Sequence, residues 1–283
     1  MRFHRGSHTF VEQVKLKVMD LERSLAFYQQ VVGFRVLDRT ERTASLTADG
    51  HTALLFIKQP EDVALLQGRT TGLYHFALLL PTRSDLAQMV RQLAASGIQI
   101  GSADHLVSEA LYFSDPDGNG IEIYRDRDPS EWTWRNGIVQ MTTDPLDFRD
   151  LLSSEPPREW DGLPAGTLMG HIHLHVSELR KTEEFYVKGL GFNVISRFGS
   201  QALFISTANY HHHIGLNTWN GVGAPKPPAN SVGLRSFTLV FPDDAARNQA
   251  VAALQEIGAS VENERGIWMT EDPSGNRIQL ERA

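Results

Sequence analysis

"VKLKVMDLERSLAFYQQVVGFRV" (14–36) and "IHLHVSELRKTEEFYVKGLGFNV" (172–194) are two copies of one pattern. Val18 matches Val176, Leu21 matches Leu179, Phe27-Tyr28 matches Phe185-Tyr186, and Gly33-Phe34 matches Gly191-Phe192. Each copy opens with alternating residues, the period of a half-buried strand. An acidic residue and a leucine then lead into a helical stretch, which ends near a glycine able to cap it. A second pattern starts at "GLYHFALLLP" (72–81) and recurs as "GLRSFTLVFP" (233–242). Its helix ends near Gly97 in one copy and Gly258 in the other, and it closes on "DPDGNGIEIY" (115–124) or "DPSGNRIQLE" (272–281). Asp-Pro followed by Gly-Asn is turn chemistry, because proline fixes one dihedral and glycine accepts positive φ. The chain therefore reads as four units of strand, helix and several strands, at roughly 11–58, 72–126, 168–218 and 233–281.

Composition limits what such a protein can do. The 283 residues suffice for one large domain or two ordinary ones. Hydrophobic residues make up 41% and charged residues 22%, a normal soluble balance. A formal net charge of −7 argues against nucleic acid or an anionic membrane as the main partner. The chain has no cysteine, which excludes disulfides, thiolate metal sites and cysteine nucleophiles. Neither a signal-type apolar core nor a membrane-length run is present, so a soluble, cytoplasmic protein is expected. Residues 127–167, rich in proline, charge and tryptophan, read as a connecting segment between domains at 11–126 and 168–283. "WNGVGAPKPPANSVG" separates the last two units and reads as an extended strap or lid.

The four-unit pattern resembles the vicinal oxygen chelate superfamily of glyoxalases, bleomycin-resistance proteins and extradiol dioxygenases. The resemblance rests on "LERSLAFYQQVVGF", "GHIHLHV…EEFYVKGLGF" and the two "DPxGNxI" turns, and covers nearly the whole chain. Within the superfamily, "GLYHFALLLP", "HLVSEALYFSDPDGNGIEIY" and "YHHHIGLNTW" look most like the bacterial two-domain catechol 2,3-dioxygenases. The resemblance implies an α+β fold of βαβββ units whose curved sheets form two cups, one of them around a divalent metal. It also implies ligands on the first strand of each paired unit and on the last strand of one or both. In the dioxygenases the set is two histidines and one glutamate, which leaves one face of the metal open.

Strand alternation sorts the candidates, since successive side chains point to opposite faces. In "GLYHFALLLP", Phe76, Leu78 and Leu80 face the helix and His75 faces the cup, as a ligand or as a buried hydrogen-bonded ring. In "NGIEIYRD", Ile121 and Ile123 face the helix and send Glu122 and Tyr124 the other way. A carboxylate inside a sheet is costly to desolvate unless it is paired or metal-bound. In "GHIHLHV", His171, His173 and His175 share a face, and the family motif points to His171 as the ligand. His173 and His175 read as groups behind the ligands or as ordinary hydrogen-bonded rings. In "YHHHIGLNTW", His211, His213 and Gly215 are expected toward the cup, with at least one of His211 and His212 in a solvent-facing loop. Gly215 stands where Glu122 stands in its own unit, so this strand offers no carboxylate.

The other two units carry Gln13, Ser236 and Gln279 at the corresponding places, and Glu281 reads as a surface residue. Pairing in chain order gives neither half a full ligand set. Pairing the two middle units joins His75, Glu122 and His171, with the outer units forming a metal-free pair. The resemblance then implies an iron(II) or manganese(II) enzyme of aromatic catabolism, acting on a small aromatic diol with O2 and expected as a homo-oligomer. His213, and after it His173, are the expected proton carriers. Tyr124 is expected to steer a substrate oxygen, with Tyr112 or Tyr210 lining the cup. The alternatives are a glyoxalase-like isomerase or lyase, which would need a further carboxylate ligand, and a metal-free small-molecule binding protein.

Overall fold

A computed structural model describes residues 2–4, 6–153, 156 and 158–283. The first unit comprises β1 (Phe10–Lys17), α1 (Leu21–Phe27), β2 (Arg35–Arg39), β3 (Thr43–Thr47) and β4 (Ala53–Lys58). The second comprises β5 (Gly72–Leu79), α2 (Arg83–Ala95), β6 (Gly101–Asp104), β7 (Ser108–Ser114) and β8 (Gly120–Asp126). A small hairpin, β9 (Trp134–Arg135) with β10 (Ile138–Val139), and α3 (Phe148–Ser153) lie between the halves. The third unit comprises β11 (Leu168–His175), α4 (Leu179–Glu184), β12 (Asn193–Phe198), β13 (Ala202–Ser206) and β14 (Ile214–Asn217). The fourth comprises β15 (Gly233–Phe241), α5 (Asp244–Glu256), β16 (Val261–Glu264), β17 (Ile267–Glu271) and β18 (Arg277–Arg282).

The helices begin where short polar side chains can satisfy the free N–H groups of a first turn. Asp20 caps α1 through the N–H of Arg23, Thr82 caps α2 through that of Asp85, and Asp243 caps α5 through that of Ala246. In the first and third units the helix ends in a π-turn, Tyr28–Val32 and Phe185–Gly189. Gly33 and Gly191 follow at φ 94° and 77°, a left-handed conformation that favours glycine.

Two eight-stranded sheets result, and each takes one unit from either half of the chain. One runs β16-β17-β18-β15-β1-β4-β3-β2 and joins the outer units. The other runs β12-β13-β14-β11-β5-β8-β7-β6 and joins the middle units. The junctions are the antiparallel pairs β1–β15 and β5–β11. Helix-facing side chains such as Phe76, Leu78, Ile121, Ile123, Ile172 and Leu174 are buried in one continuous core with their counterparts in the first sheet. Among the described residues no helix is long and apolar enough to cross a membrane.

A second set of contacts links the units the other way. The Tyr28 hydroxyl of the first unit donates to Asp115 Oδ2 in the turn of the second, at 2.7 Å. The Tyr186 hydroxyl of the third donates to Asp272 Oδ2 in the turn of the fourth, at 3.2 Å. Each aspartate also accepts from the backbone of its own Gly-Asn turn and from the side chain of Asn119 or Asn276. Burial pushes both carboxyls up, with these hydrogen bonds working against it. The sheets thus tie first to fourth and second to third, while the tyrosines tie first to second and third to fourth. Tyr28→Phe or Tyr186→Phe should lower stability in urea denaturation by about 1–3 kcal/mol, since each leaves a buried acceptor short of a donor.

Candidate metal centre and cavity

The register across the middle sheet brings three ligand-type side chains to one point. On β5, Ala77 has His171 of β11 on one side and Glu122 of β8 on the other. Neighbouring strands lie about 4.8 Å apart, so two long side chains can meet over the small one between them. His75, two residues before Ala77 on the same face, completes the group. His171 Nε2 and His75 Nε2 each lie 3.0 Å from Glu122 Oε2, and the three ligand atoms all fall within 4.8 Å of one another. All three residues are buried.

Burial works to raise the Glu122 carboxyl, but the charge and hydrogen bond of His171, with His75 adding to them, hold it well below the usual range. Burial pushes His171 down to about 4 against the pull of Glu122. A carboxylate beside a neutral imidazole is a donor set suited to a divalent ion. His75 Nε2 lies 3.0 Å from Glu122 Oε2 but is poorly aligned to donate to it, and His171 Nδ1 makes no hydrogen bond. A buried imidazole nitrogen held beside a carboxylate but not aligned to donate to it fits a lone pair aimed at a shared ion.

The group lies at a cavity of about 410 Å³, to which His75, Glu122, Tyr112, His105, His173, His212, Phe204 and Trp219 contribute. Met141, Thr142 and Thr143 of the connecting segment also form part of its wall. A neighbouring cavity of about 490 Å³, bordered by the strap at 219–232, shares Tyr74, His75 and Tyr112. The strap carries no helix and hydrogen-bonds to the segment before β5, through Ala64 N to Asn230 O and Val232 N to Ala64 O.

The other candidates do not all reach the cavity. His173 does, opposite His75 in the register, but its Nε2 accepts from Asn217 Nδ2 at 3.0 Å. Asn217 is oriented by the N–H of Trp219, which donates to its Oδ1. His213 points away: its Nε2 meets the carbonyl of Phe3 at 3.0 Å, and its Nδ1 meets Ser206 Oγ and the N–H of Thr207. It is His212 that lines the cavity, with its ring centroid 4.0 Å from that of His171. Alternation failed here because 207–213 is not a strand. Ala208 and Asn209 turn the chain at φ 59° and 57°, and β14 starts only at Ile214. Neither His211 nor His212 is solvent-facing, since both are buried.

Tyr124 lies behind His171 with its hydroxyl 2.7 Å from that of Tyr210, so neither phenol lines the cavity. Gly170 makes that possible, because a Cβ there would fall 2.0 Å from the Tyr124 hydroxyl. Tyr112 does line the cavity. Its hydroxyl lies 2.7 Å from Nε2 of His105, whose Nδ1 donates to the Thr142 carbonyl at 2.6 Å. Burial, then the charge of Glu122, pushes the Tyr112 phenol well up. His105 was not among the sequence candidates. It lies in the turn between β6 and β7, where no strand period could have singled it out.

In the outer sheet Gln13, Thr238 and Gln279 occupy the same row that His171, Ala77 and Glu122 occupy in the middle sheet. Gln13 donates to the Ala53 carbonyl, and Gln279 accepts from Lys15 Nζ at 2.6 Å and donates to Glu281. An ammonium there repels a cation, and among the described residues the His75–Glu122–His171 group is the one with metal-ligand geometry.

Residues 10–123 and 168–280 match the Glyoxalase/Bleomycin resistance protein/Dioxygenase superfamily. The chain belongs to that superfamily. It is 45% identical over 273 residues to the catechol-2,3-dioxygenase of Bacillus subtilis (strain 168), covering 95% of each chain. It is also 31% identical over 136 residues to biphenyl-2,3-diol 1,2-dioxygenase 3 of Rhodococcus globerulus, covering 46% of this chain and 72% of that one. The crystal structure of glyoxalase I from Zea mays superposes with a TM-score of 0.59 at 16% identity, covering 96% of this chain and 92% of that one, which shows the shared fold.

Ala77→Leu should abolish stoichiometric metal binding, measured by elemental analysis of the purified protein, at a stability cost of about 1–3 kcal/mol for overpacking. His4 donates from Nε2 to the Gly170 carbonyl at 2.8 Å, and burial pushes it from 6.5 to about 4. Between those values the unfolded chain binds the proton that folded His4 does not. Its contribution is therefore present above 6.5 and is lost as pH falls toward 4. The urea midpoint of wild type should fall across that window more steeply than that of His4→Gln.

Proposed function

We propose that this protein is an iron(II)-dependent extradiol dioxygenase that cleaves the ring of catechol or a substituted catechol. The observation that carries the reading is the convergence of two imidazoles and one carboxylate, all buried, with His75 and Glu122 at the wall of a cavity lined by aromatic rings. The extended similarity to a catechol-2,3-dioxygenase supports it. Manganese(II) fits the same donors.

His75, His171 and Glu122 would hold the ion, and the ion would supply Lewis acidity together with open positions for the reactants. The remaining roles belong to the chain. Phe204, Trp219 and Tyr74 offer apolar faces to an aromatic ring and exclude water from it. His212 is the cavity imidazole placed to take a proton from a diol hydroxyl. Burial and the neighbouring histidines push it well below its ordinary value, which keeps it neutral and able to accept. Tyr112 stays protonated and donates to His105 Nε2, since His105 Nδ1 already donates to the Thr142 carbonyl. That fixes the phenol oxygen at the wall, where its lone pairs can accept from a substrate hydroxyl.

The glyoxalase-like reading lacks its extra ligand. A Cβ at Gly215 would fall 2.8 Å from the ring of His173, so no carboxylate can extend from that place.

Anaerobic loading with iron(II), followed by oxygen uptake on adding catechol, should show consumption with appearance of a yellow ring-cleavage product. Metal-loaded protein that consumes no oxygen with catechol or alkyl- and aryl-substituted catechols would sink the reading. His212→Ala should retain its metal and lose about 10²–10⁴-fold in turnover, the usual contribution of a positioned acid or base. His213→Ala should instead lose stability while the folded fraction keeps turnover near wild type.

A further inference from the structure

The back wall of the centre holds a chain of hydrogen bonds that runs from His212 to Asp126. His212 Nδ1 lies 2.9 Å from His211 Nδ1, and His211 Nε2 lies 2.7 Å from Asp126 Oδ1. The Tyr210 hydroxyl also reaches Asp126 Oδ1, at 3.3 Å, and Tyr124 lies behind Tyr210. Glu122, Tyr124 and Asp126 alternate along β8 and so share one face. The strand that presents one carboxylate to the ligand group presents a second carboxylate, four residues on, to the far end of this chain. Asp126 also borders an outer cleft of about 490 Å³ together with Phe3, Leu79 and Pro129.

The direction of these bonds follows from what each group can do. A carboxylate only accepts, so the proton between His211 and Asp126 sits on His211 Nε2. A neutral imidazole has one N–H, which leaves His211 Nδ1 bare. Two facing Nδ1 atoms can share only one proton, and it must then belong to His212. With its proton on Nδ1, neutral His212 has a bare Nε2. Tyr210 donates to the same carboxylate, so Tyr124 donates to Tyr210, and every bond in the chain points toward Asp126. His211 lines no part of the cavity and is enclosed by aromatic rings, with Tyr210 at 4.1 Å and Trp132 at 5.3 Å. It is held in place for the residue next to it.

We propose that Asp126, acting through His211, fixes the tautomer of His212 so that a bare Nε2 is left for the cavity. Asp126 and His211 are positioning residues, and the role they serve rests on the dioxygenase reading given above. The logic is that of an aspartate orienting an imidazole in hydrolytic triads, extended here by one further ring. It accounts for two adjacent buried histidines of which only the second reaches the cavity. It also accounts for a carboxylate at the end of β8 that takes no part in the ligand group.

The test is long-range ¹H–¹⁵N correlation NMR of the full chain loaded with zinc(II), a diamagnetic probe, combined with kinetics of the iron-loaded enzyme. In wild type His212 should show a protonated, pyrrole-type Nδ1 and a bare, pyridine-type Nε2. Asp126→Asn introduces an amide N–H that can donate to His211 Nε2 and reverse the chain, so the His212 proton should move wholly or partly to Nε2. That variant should keep its metal and a KM within a few-fold of wild type, while kcat falls by about 10²–10⁴-fold. A wild-type His212 carrying its proton on Nε2 overturns the proposal on its own, even if the variant fails to fold. An Asp126→Asn protein with unchanged His212 signals and unchanged kcat overturns it as well. The NMR readout needs no turnover. Wild-type protein with the expected tautomer but no oxygen uptake would therefore support the assignment while removing the dioxygenase reading.

Discussion

The antiparallel contact of Gly72–Leu79 with Leu168–His175 is the constraint on which the rest of the site depends. It sets the two middle units side by side in a register that places His171 against Ala77 and His173 against His75. The parallel contact with Gly120–Asp126 adds Glu122 on the other flank of Ala77. Because the side-chain period of a strand is two, a slip of one residue at the first contact would turn His171 into the helix-facing core, and a slip at the second would do the same to Glu122. The register breaks at Gly170, between Met169 and His171. That irregularity lies beside His171, a common place for a bulge to re-aim a side chain.

The two sheets carry the same architecture with different side chains at the corresponding row. In the middle sheet the row His171–Ala77–Glu122 pairs an imidazole with a carboxylate over a methyl group. In the outer sheet Gln13–Thr238–Gln279 offers amides over a threonine, with Lys15 in the place of His173. The tyrosine–aspartate ties at Tyr28–Asp115 and Tyr186–Asp272 are kept in both halves. The repeat has thus retained the contacts that hold units together and varied those that would hold an ion. The outer sheet completes the core behind the middle one.

Much of this was legible in the sequence because repeats and strand periods are local signals. The four units, their capped helices and the turn aspartates follow from motifs a few residues long. The crossed joining of units was legible by a different route, from counting which units carry imidazole and carboxylate. The cup-facing side of β5, β8 and β11 came from alternation, which holds inside a strand. The same rule gave His213 in place of His212, since 207–213 is an irregular turn with two residues at positive φ. His105 and Asp126 escaped notice for related reasons: their importance lies in hydrogen bonds to residues far along the chain, Thr142 and His211. Tyr124 had the correct face, but its hydroxyl found Tyr210 behind the site.

The most direct test of the central claim is a crystal structure of the iron-loaded protein with anomalous diffraction collected on both sides of the iron absorption edge. The account predicts one strong anomalous peak over Ala77, about 2.0–2.2 Å from a ring nitrogen of His75, a ring nitrogen of His171 and a carboxylate oxygen of Glu122. A peak beside Gln13 and Gln279, or a metal in the middle sheet bound without one of those three residues, would contradict it.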